Sequence, residues 1–234
     1  MNVAIMQPYF FPYIGYLQLM AAVDTFVFLD DVQYIERGWV NRNRIRLREK
    51  THWLGCAVRA ASRSLAINQR EYLLQDERHG IPAVLAKLHS GYSRAPHYQE
   101  GMALLGELLA FPDANVARFN ENLLRGLAQS LGLECSFCRS SELELSDGLR
   151  GEERIIDIAQ RVGARRYINP IGGRPLYQSE NFEAAGVELR FLRTQVEGQV
   201  LGDKQEQLSA IDWLMMRGCE GIQARLADFD LEVA

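Results

Sequence analysis

The sequence lacks an excess of basic residues and has no long apolar run. Lys and Arg together number 26 against 30 Asp and Glu, so the net charge is −4 and the pI is near 5.7. This balance does not favour nucleic-acid binding. No apolar stretch approaches the roughly 18 residues that a membrane-spanning helix needs, and the first residues do not have the basic start and unbroken apolar core of a secretory signal. We therefore expect a cytoplasmic protein that contacts neither nucleic acid nor membrane.

Several common catalytic and metal-binding motifs are also absent. The chain contains no G-x-S-x-G, no H-E-x-x-H and no P-loop. Its four histidines do not pair at metal-ligand spacing. Cys135 and Cys138 form a single C-x-x-C, and a structural zinc site would want a second close pair. We favour structural thiols over a redox pair or half a zinc site, and we predict no metal site built by the protein alone.

Hydrophobic periodicity predicts an α/β fold. The 234 residues are 47% hydrophobic and 24% charged, as expected for one globular domain over residues 1–234. Strands and helices alternate at both ends of the chain, which favours a Rossmann-like, mostly parallel sheet with a helical insertion at about residues 80–131. The predicted strands are 3–6, 25–29, a segment within 52–58, 135–138, 166–168 and 187–192. The predicted helices are 13–23, one opening near 82, 97–110, 115–131, 152–162, 179–185 and 208–217, the last ending at Gly218.

Three unusual loops each follow a predicted strand. They span residues 7–16, 30–46 and 169–177. In open parallel sheets, ligands bind outside the carboxyl ends of the strands. If the sheet is parallel, the three loops meet at one edge, and we predict the functional site there.

The first loop carries P-Y-I-G-Y at the start of a helix. Gly15 would let a ligand approach the helix N-terminus, where free N–H groups favour a phosphate or carboxylate. Aromatic hydroxyls and an amide would line the pocket, and the alternative is an aromatic plug over the sheet, which we favour for Phe10 and Phe11. The candidate residues are Gln7, Tyr9, Tyr13, Gly15 and Tyr16.

The second loop carries two adjacent carboxylates and an N-R-N-R segment. Asp30 and Asp31 could accept an amine or hold Mg²⁺ with substrate phosphates, or could simply serve as a turn and helix cap. Arg42 and Arg44 would share one face of an extended segment and bind phosphate or carboxylate, although a solvated basic turn remains the alternative. The further candidates for substrate binding are Gln33, Trp39, Asn41, Arg42, Asn43 and Arg44.

The third loop, N-P-I-G-G-R-P, has two glycines and an arginine after a strand. Successive backbone N–H groups in such a turn can form an anion-binding nest, although most Gly-Gly pairs are ordinary turns. The candidates are Asn169, Gly172, Gly173 and Arg174.

Four stretches resemble the WbqC-like family in the same order along the chain. They are MQPYFFPYIGYLQLM, DTFVFLDDVQYIERGWVNRNRI, YINPIGGRPLY and LSAIDWLMMRG. The resemblance implies a place in O-antigen-type polysaccharide or amino-sugar biosynthesis. P-Y-I-G-Y is also similar to the H-x-G-H element of nucleotidylyl transferases and adenylate-forming ligases, with Tyr13 and Tyr16 at the two histidine positions.

These features together lead to one functional hypothesis and two alternatives. We expect an acyl or aminoacyl transferase or ligase that forms an amide on an amine of a nucleotide-linked sugar. Asp30, Asp31, Tyr13 and Tyr16 would be catalytic. The cofactor is left open, with ATP and Mg²⁺ compatible, and the substrate is a small molecule bearing phosphate or nucleotide. The alternatives are a glycosyltransferase of the same pathway and a non-catalytic sugar-nucleotide-binding protein.

Overall fold

The computed structural model describes residues 1–48, 50–196, 199–201 and 204–234. The strands are β1 (Asn2–Met6), β2 (Thr25–Phe28), β3 (Arg42–Leu47), β4 (Lys50–Gly55), β5 (Ser136–Arg139), β6 (Arg166–Pro170), β7 (Glu188–Thr194), β8 (Gln199–Leu201), β9 (Lys204–Glu206) and β10 (Phe229–Val233). The helices are α1 (Ile14–Ala21), α2 (Ile81–Tyr92), α3 (Tyr98–Leu109), α4 (Val116–Ser130), α5 (Gly151–Arg161), α6 (Ser179–Ala184) and α7 (Ala210–Gln223). Three short 3₁₀ helices cover Ile67–Gln69, Ser140–Glu142 and Ile171–Leu176.

Six strands form one sheet in the order β10-β7-β6-β1-β2-β5. Strands β7, β6, β1, β2 and β5 are parallel, and β10 pairs antiparallel with β7 at one edge. This arrangement confirms the predicted Rossmann-like α/β fold with a mostly parallel sheet.

Both faces of the sheet are covered, as the continuous apolar runs of its central strands require. Side chains alternate along β1, so Val3 and Ile5 pack with residues of α5 and α6, while Ala4 faces the opposite layer. That opposite layer holds α1, α3, α4 and α7. The site must therefore lie at an end of the sheet, since its faces are occupied.

The connection from β2 to β5 contains the insertion. It starts with an antiparallel hairpin of β3 and β4 and continues through α2, α3 and α4, so the helical part agrees with prediction. Strand β3 was not predicted from the sequence, because its alternating residues are mostly polar. Asn43 and Ile45 are buried while Arg42 and Arg44 are half-exposed, which is the face sharing expected of an extended segment.

Two other local predictions are resolved by the structure. Helix α7 was predicted to end at Gly218 but continues to Gln223, interrupted at Gly218 by a φ of 68°, a conformation that glycine adopts without strain. Cys135 packs on the α1 side of the sheet and Cys138 on the α5 side, and both are free thiols. Because they face opposite layers, the C-x-x-C cannot act as a joint ligand or redox pair in this fold.

Candidate functional site

A cavity of about 680 Å³ opens at the carboxyl ends of β1 and β6. The chain passes from β1 to β2 in one direction along the sheet and from β6 to β7 in the other. A reversal of this kind leaves a crevice between the two central strands, the usual ligand position in open α/β sheets. Met6 and Gln7 line the cavity from β1, and Asn169 and Pro170 line it from β6.

All three predicted loops contribute to this cavity. The first supplies an amide, two phenol rings and a glycine; the second supplies an indole, an amide and a guanidinium; the third supplies an amide and the Gly-Gly turn. The predicted residues that line it are Gln7, Tyr9, Tyr13, Gly15, Trp39, Asn43, Arg44, Asn169, Gly172 and Gly173. The structure thus brings together ten of the candidate residues from distant parts of the sequence.

Buried polar side chains hold the backbone of the first loop. Phe11 has a φ of 41°, in the left-handed region that non-glycine residues rarely adopt, so this conformation needs support. Three loop carbonyls accept side-chain hydrogen bonds. Gln7 O accepts from the Tyr16 hydroxyl and Pro8 O from the Asn120 amide, both at 2.9 Å. Phe11 O accepts from the Asn43 amide at 2.9 Å and from the Ser209 hydroxyl at 2.7 Å. Phe10 and Phe11 are themselves fully buried, which agrees with the packing role expected for them.

The two tyrosines that the first loop brings to the cavity wall, Tyr9 and Tyr13, are neutral hydrogen-bond donors. Burial raises the pKa of Tyr9, and burial followed by the neighbouring Tyr9 raises the pKa of Tyr13 to about 12. Neither phenol is a base near neutral pH. Each can instead donate its proton to a phosphate, carboxylate or carbonyl oxygen of a ligand.

The β3–β4 hairpin supplies the cationic part of the wall. The Arg44 guanidinium lies 5.2 Å from the centre of the Trp39 ring and donates to the carbonyl oxygen of Gln207 at 3.3 Å. A guanidinium orientated by an aromatic face and a carbonyl presents a fixed fork to planar anionic groups.

Asp30 and Asp31 lie after β2 but do not line the cavity. The Asp30 carboxylate is buried and accepts hydrogen bonds from the hydroxyl and backbone N–H of Ser141 at 2.7 and 3.1 Å, from the Ser140 hydroxyl at 3.2 Å and from the Asn68 amide at 3.2 Å. The Asp31 carboxylate contacts Arg154 at 2.6 Å and the Ser140 hydroxyl at 2.6 Å. Both carboxylates are therefore engaged by protein groups outside the cavity, and the catalytic role of Asp30 and Asp31 stays a prediction.

Five other predicted residues also lie outside the cavity. Tyr16 is fully buried beneath the first loop. Arg174 pairs with Glu232 at 2.9 Å, at the β10 edge of the sheet. The remaining three are engaged elsewhere: Gln33 donates to Arg63 O, Asn41 donates to Cys56 O, and Arg42 stacks on Trp53.

Some residues of the cavity wall were not predicted from the sequence. Thr194 and Gln207 line the cavity together with Tyr177, which was inside the third loop but was not singled out. Thr194 ends β7, the parallel neighbour of β6, so the same strand-end argument could have identified it. Gln207 precedes α7 and has no local signal, because it reaches the site only through the tertiary fold.

The chain matches the WbqC-like protein family over residues 7–224, which include every residue of the cavity wall except Ile5 and Met6 at the end of β1. The chain belongs to this family. An uncharacterized protein of Mycobacterium tuberculosis, Rv1507c, is 29% identical over 225 residues, which cover 94% of this chain and 95% of that relative. No solved structure matches the chain. Across the part of the chain that is described, no helix has the length and apolar character needed to cross a membrane.

Proposed function

We propose that this WbqC-like protein is an enzyme of amino-sugar or O-antigen-type polysaccharide biosynthesis. In this proposal it forms an amide by acyl or aminoacyl transfer to an amine of a nucleotide-linked sugar. The observation that carries the proposal is the cavity at the carboxyl ends of β1 and β6, which we name the switch-point cavity. Neutral hydroxyl donors and a guanidinium converge on its volume. Its volume lies within the range of small-molecule sites, roughly 300–1,000 Å³.

The lining chemistry favours an activated acyl donor. The described residues that line the cavity include no carboxylate and no histidine, so they supply donors of hydrogen bonds rather than a strong base. An amine that attacks a thioester or acyl phosphate forms the C–N bond and breaks the C–S or C–O bond. The thiolate or phosphate leaves with the bonding electron pair and the amine releases a proton to it or to solvent.

Tyr13 and Arg44 are the residues that we assign to this step. The carbonyl oxygen gains negative charge when the amine adds, and a phenol or guanidinium fixed before the reaction stabilises that charge without reorganisation. Gln7 and Asn169, at the ends of the two central strands, position the sugar. Because Tyr16 is buried and bonded to Gln7 O, it does not take the role of the second histidine of an H-x-G-H element, which disfavours the adenylate route.

Non-catalytic binding of a sugar nucleotide is the second candidate. The lack of a carboxylate or histidine among the described lining residues favours this candidate too, because binding without catalysis needs no general acid or base. A glycosyltransferase was predicted from Asp30 and Asp31, and the engagement of both carboxylates outside the cavity removes its main support.

Mass spectrometry of a transfer reaction separates the two candidates. Purified protein is incubated with UDP-linked amino sugars bearing a free amine, together with acyl thioesters or with ATP, Mg²⁺ and amino acids. The proposal expects an amide product with thioesters, and a Tyr13→Phe variant that binds the sugar nucleotide normally but is slower by about 10²–10³-fold. Sugar-nucleotide binding with no product from any donor would overturn the transferase and leave the binding protein.

A further inference from the structure

A second cavity, of about 350 Å³, is lined by residues of the same β3–β4 hairpin that borders the switch-point cavity. We name it the cationic groove, because Arg42, Arg78, His79 and Lys87 line it. The described residues of its wall include no carboxylate. The groove also includes Ala83 and Val84 from the first turn of α2, a 12-residue helix whose positive dipole end favours anions.

The cations of the groove keep donors available for a ligand. Lys87 Nζ donates to the carbonyl oxygen of Trp53 at 2.6 Å, which uses one of its three protons. Arg78 is exposed, and its guanidinium has no ion-pair partner in the described part of the chain. The Nδ1 atom of His79 lies 3.3 Å from a carboxylate oxygen of Asp76.

Two neighbouring indoles, tilted by 45° to one another, join the groove to the switch-point cavity. Trp39 lines the cavity and Trp53 lines the groove, and their ring centres are 5.4 Å apart. Each carries a guanidinium on its face: Arg44 at 5.2 Å from the Trp39 ring and Arg42 at 4.0 Å from the Trp53 ring. Both indoles are among the large hydrophobic side chains that remain exposed, at 38% for Trp39 and 42% for Trp53, so a ligand can lie across them.

The positions of the cations indicate how a nucleotide-linked sugar would be orientated between the groove and the switch-point cavity. A diphosphate carries at least two negative charges, and Arg44 is the single cation among the described residues of the switch-point wall. The cationic groove offers three full cations and a histidine. We propose that the groove binds the diphosphate of the nucleotide-linked sugar, which then crosses the Trp53–Trp39 pair so that the sugar enters the switch-point cavity.

This inference rests on the proposed function for the identity of the sugar end, but the groove is tested without any transfer reaction. Isothermal titration calorimetry in low-salt buffer without Mg²⁺ measures binding of UDP and of inorganic pyrophosphate. Pyrophosphate lacks a nucleobase, so it reports on recognition of the diphosphate alone. Arg78→Glu and Lys87→Glu are expected to weaken both ligands by at least about tenfold, because each variant removes a charge-assisted hydrogen bond and adds repulsion. Arg94→Glu, an equal charge change just beyond the end of α2 and outside the groove, is the matched control.

Unchanged affinity in both groove variants, or equal losses in Arg94→Glu, would overturn the proposal. So would failure of the wild-type protein to bind either UDP or pyrophosphate at millimolar concentration. Arg78 is exposed, so its variant is expected to fold, which is checked by thermal denaturation. If the wild-type protein binds UDP and pyrophosphate in the groove but catalyses no transfer, the proposed function alone is rejected. If transfer is unchanged in Arg78→Glu and Lys87→Glu, the diphosphate-binding role of the groove alone is rejected.

Discussion

The Asn120 amide, on α4, donates a hydrogen bond of 2.9 Å to the carbonyl oxygen of Pro8, 112 residues earlier in the chain. The same amide nitrogen donates to the carbonyl oxygen of Val40 at 2.6 Å. One fully buried side chain therefore connects the first loop to the segment that leads into the hairpin.

Asn120→Ala should destabilise the protein and weaken ligand binding in the switch-point cavity. Its removal leaves buried carbonyls without their partner, at a cost of about 1–3 kcal/mol. Asn122→Ala is the control, because Asn122 lies on the same helix and donates to Leu108 O, away from the cavity. Urea denaturation and sugar-nucleotide titration measure both effects. Equal losses of affinity in the two variants would contradict the anchoring role of Asn120.

Gly15→Ala should disturb the cavity without unfolding α1. A Cβ at this position would lie 2.5 Å from the Tyr13 ring, so the ring must move, whereas a Cβ on Gly106 of α3 meets nothing within 4 Å. We expect weaker ligand binding in Gly15→Ala, and in Gly106→Ala unchanged binding with about 0.5–1 kcal/mol of added stability. Unaltered binding in Gly15→Ala would show that the position of Tyr13 is unimportant for the ligand.

Much of this architecture could be predicted from the sequence, because apolar runs and helical spacing report directly on burial. The alternation of strands and helices along the chain predicts the parallel sheet. Because each of the three loops follows a strand of that sheet, their convergence at one edge follows as well. The functions of individual polar residues could not be predicted in this way. Asn43 and Tyr16 look like ligand-binding residues in the sequence, yet in the fold their polar groups bond to loop carbonyls. Nothing local to these residues distinguishes a side chain that faces a ligand from one that satisfies buried backbone.

Stability should fall as the pH rises above about 10. The pKa of Tyr13 is about 12 in the folded protein, against about 10 for an exposed tyrosine. Between these values the unfolded chain loses the proton that the folded chain keeps, so unfolding becomes more favourable, while below pH 10 the full stability is present. Urea midpoints measured from pH 8 to 11 should show this decline, and Tyr13→Phe should make it shallower. Equal slopes in the two proteins would place the alkaline sensitivity elsewhere.

Asp30→Asn should destabilise the protein more than Asp31→Asn. Asn at position 30 has one acceptor oxygen where Asp has two, so either the Ser141 N–H or the Asn68 amide would face amide protons, at a cost of about 1–3 kcal/mol. The Asp31 contact with Arg154 is partly exposed, and such pairs contribute about 0–1 kcal/mol. Thermal denaturation gives the order. A hundredfold loss of transfer in Asp31→Asn at unchanged melting temperature would instead support the catalytic role predicted from the sequence.

The anchors of the first loop also bear on how the protein acquires its binding site. Asn43, Asn120 and Ser209 reach this loop from 32, 112 and 198 residues away. Contacts of such separation form late, after the intervening chain has collapsed. The binding site should therefore be among the last parts of the molecule to become native during refolding. An N-terminal fragment that contains β1, α1 and β2 would include the whole first loop but none of the three side chains that anchor it.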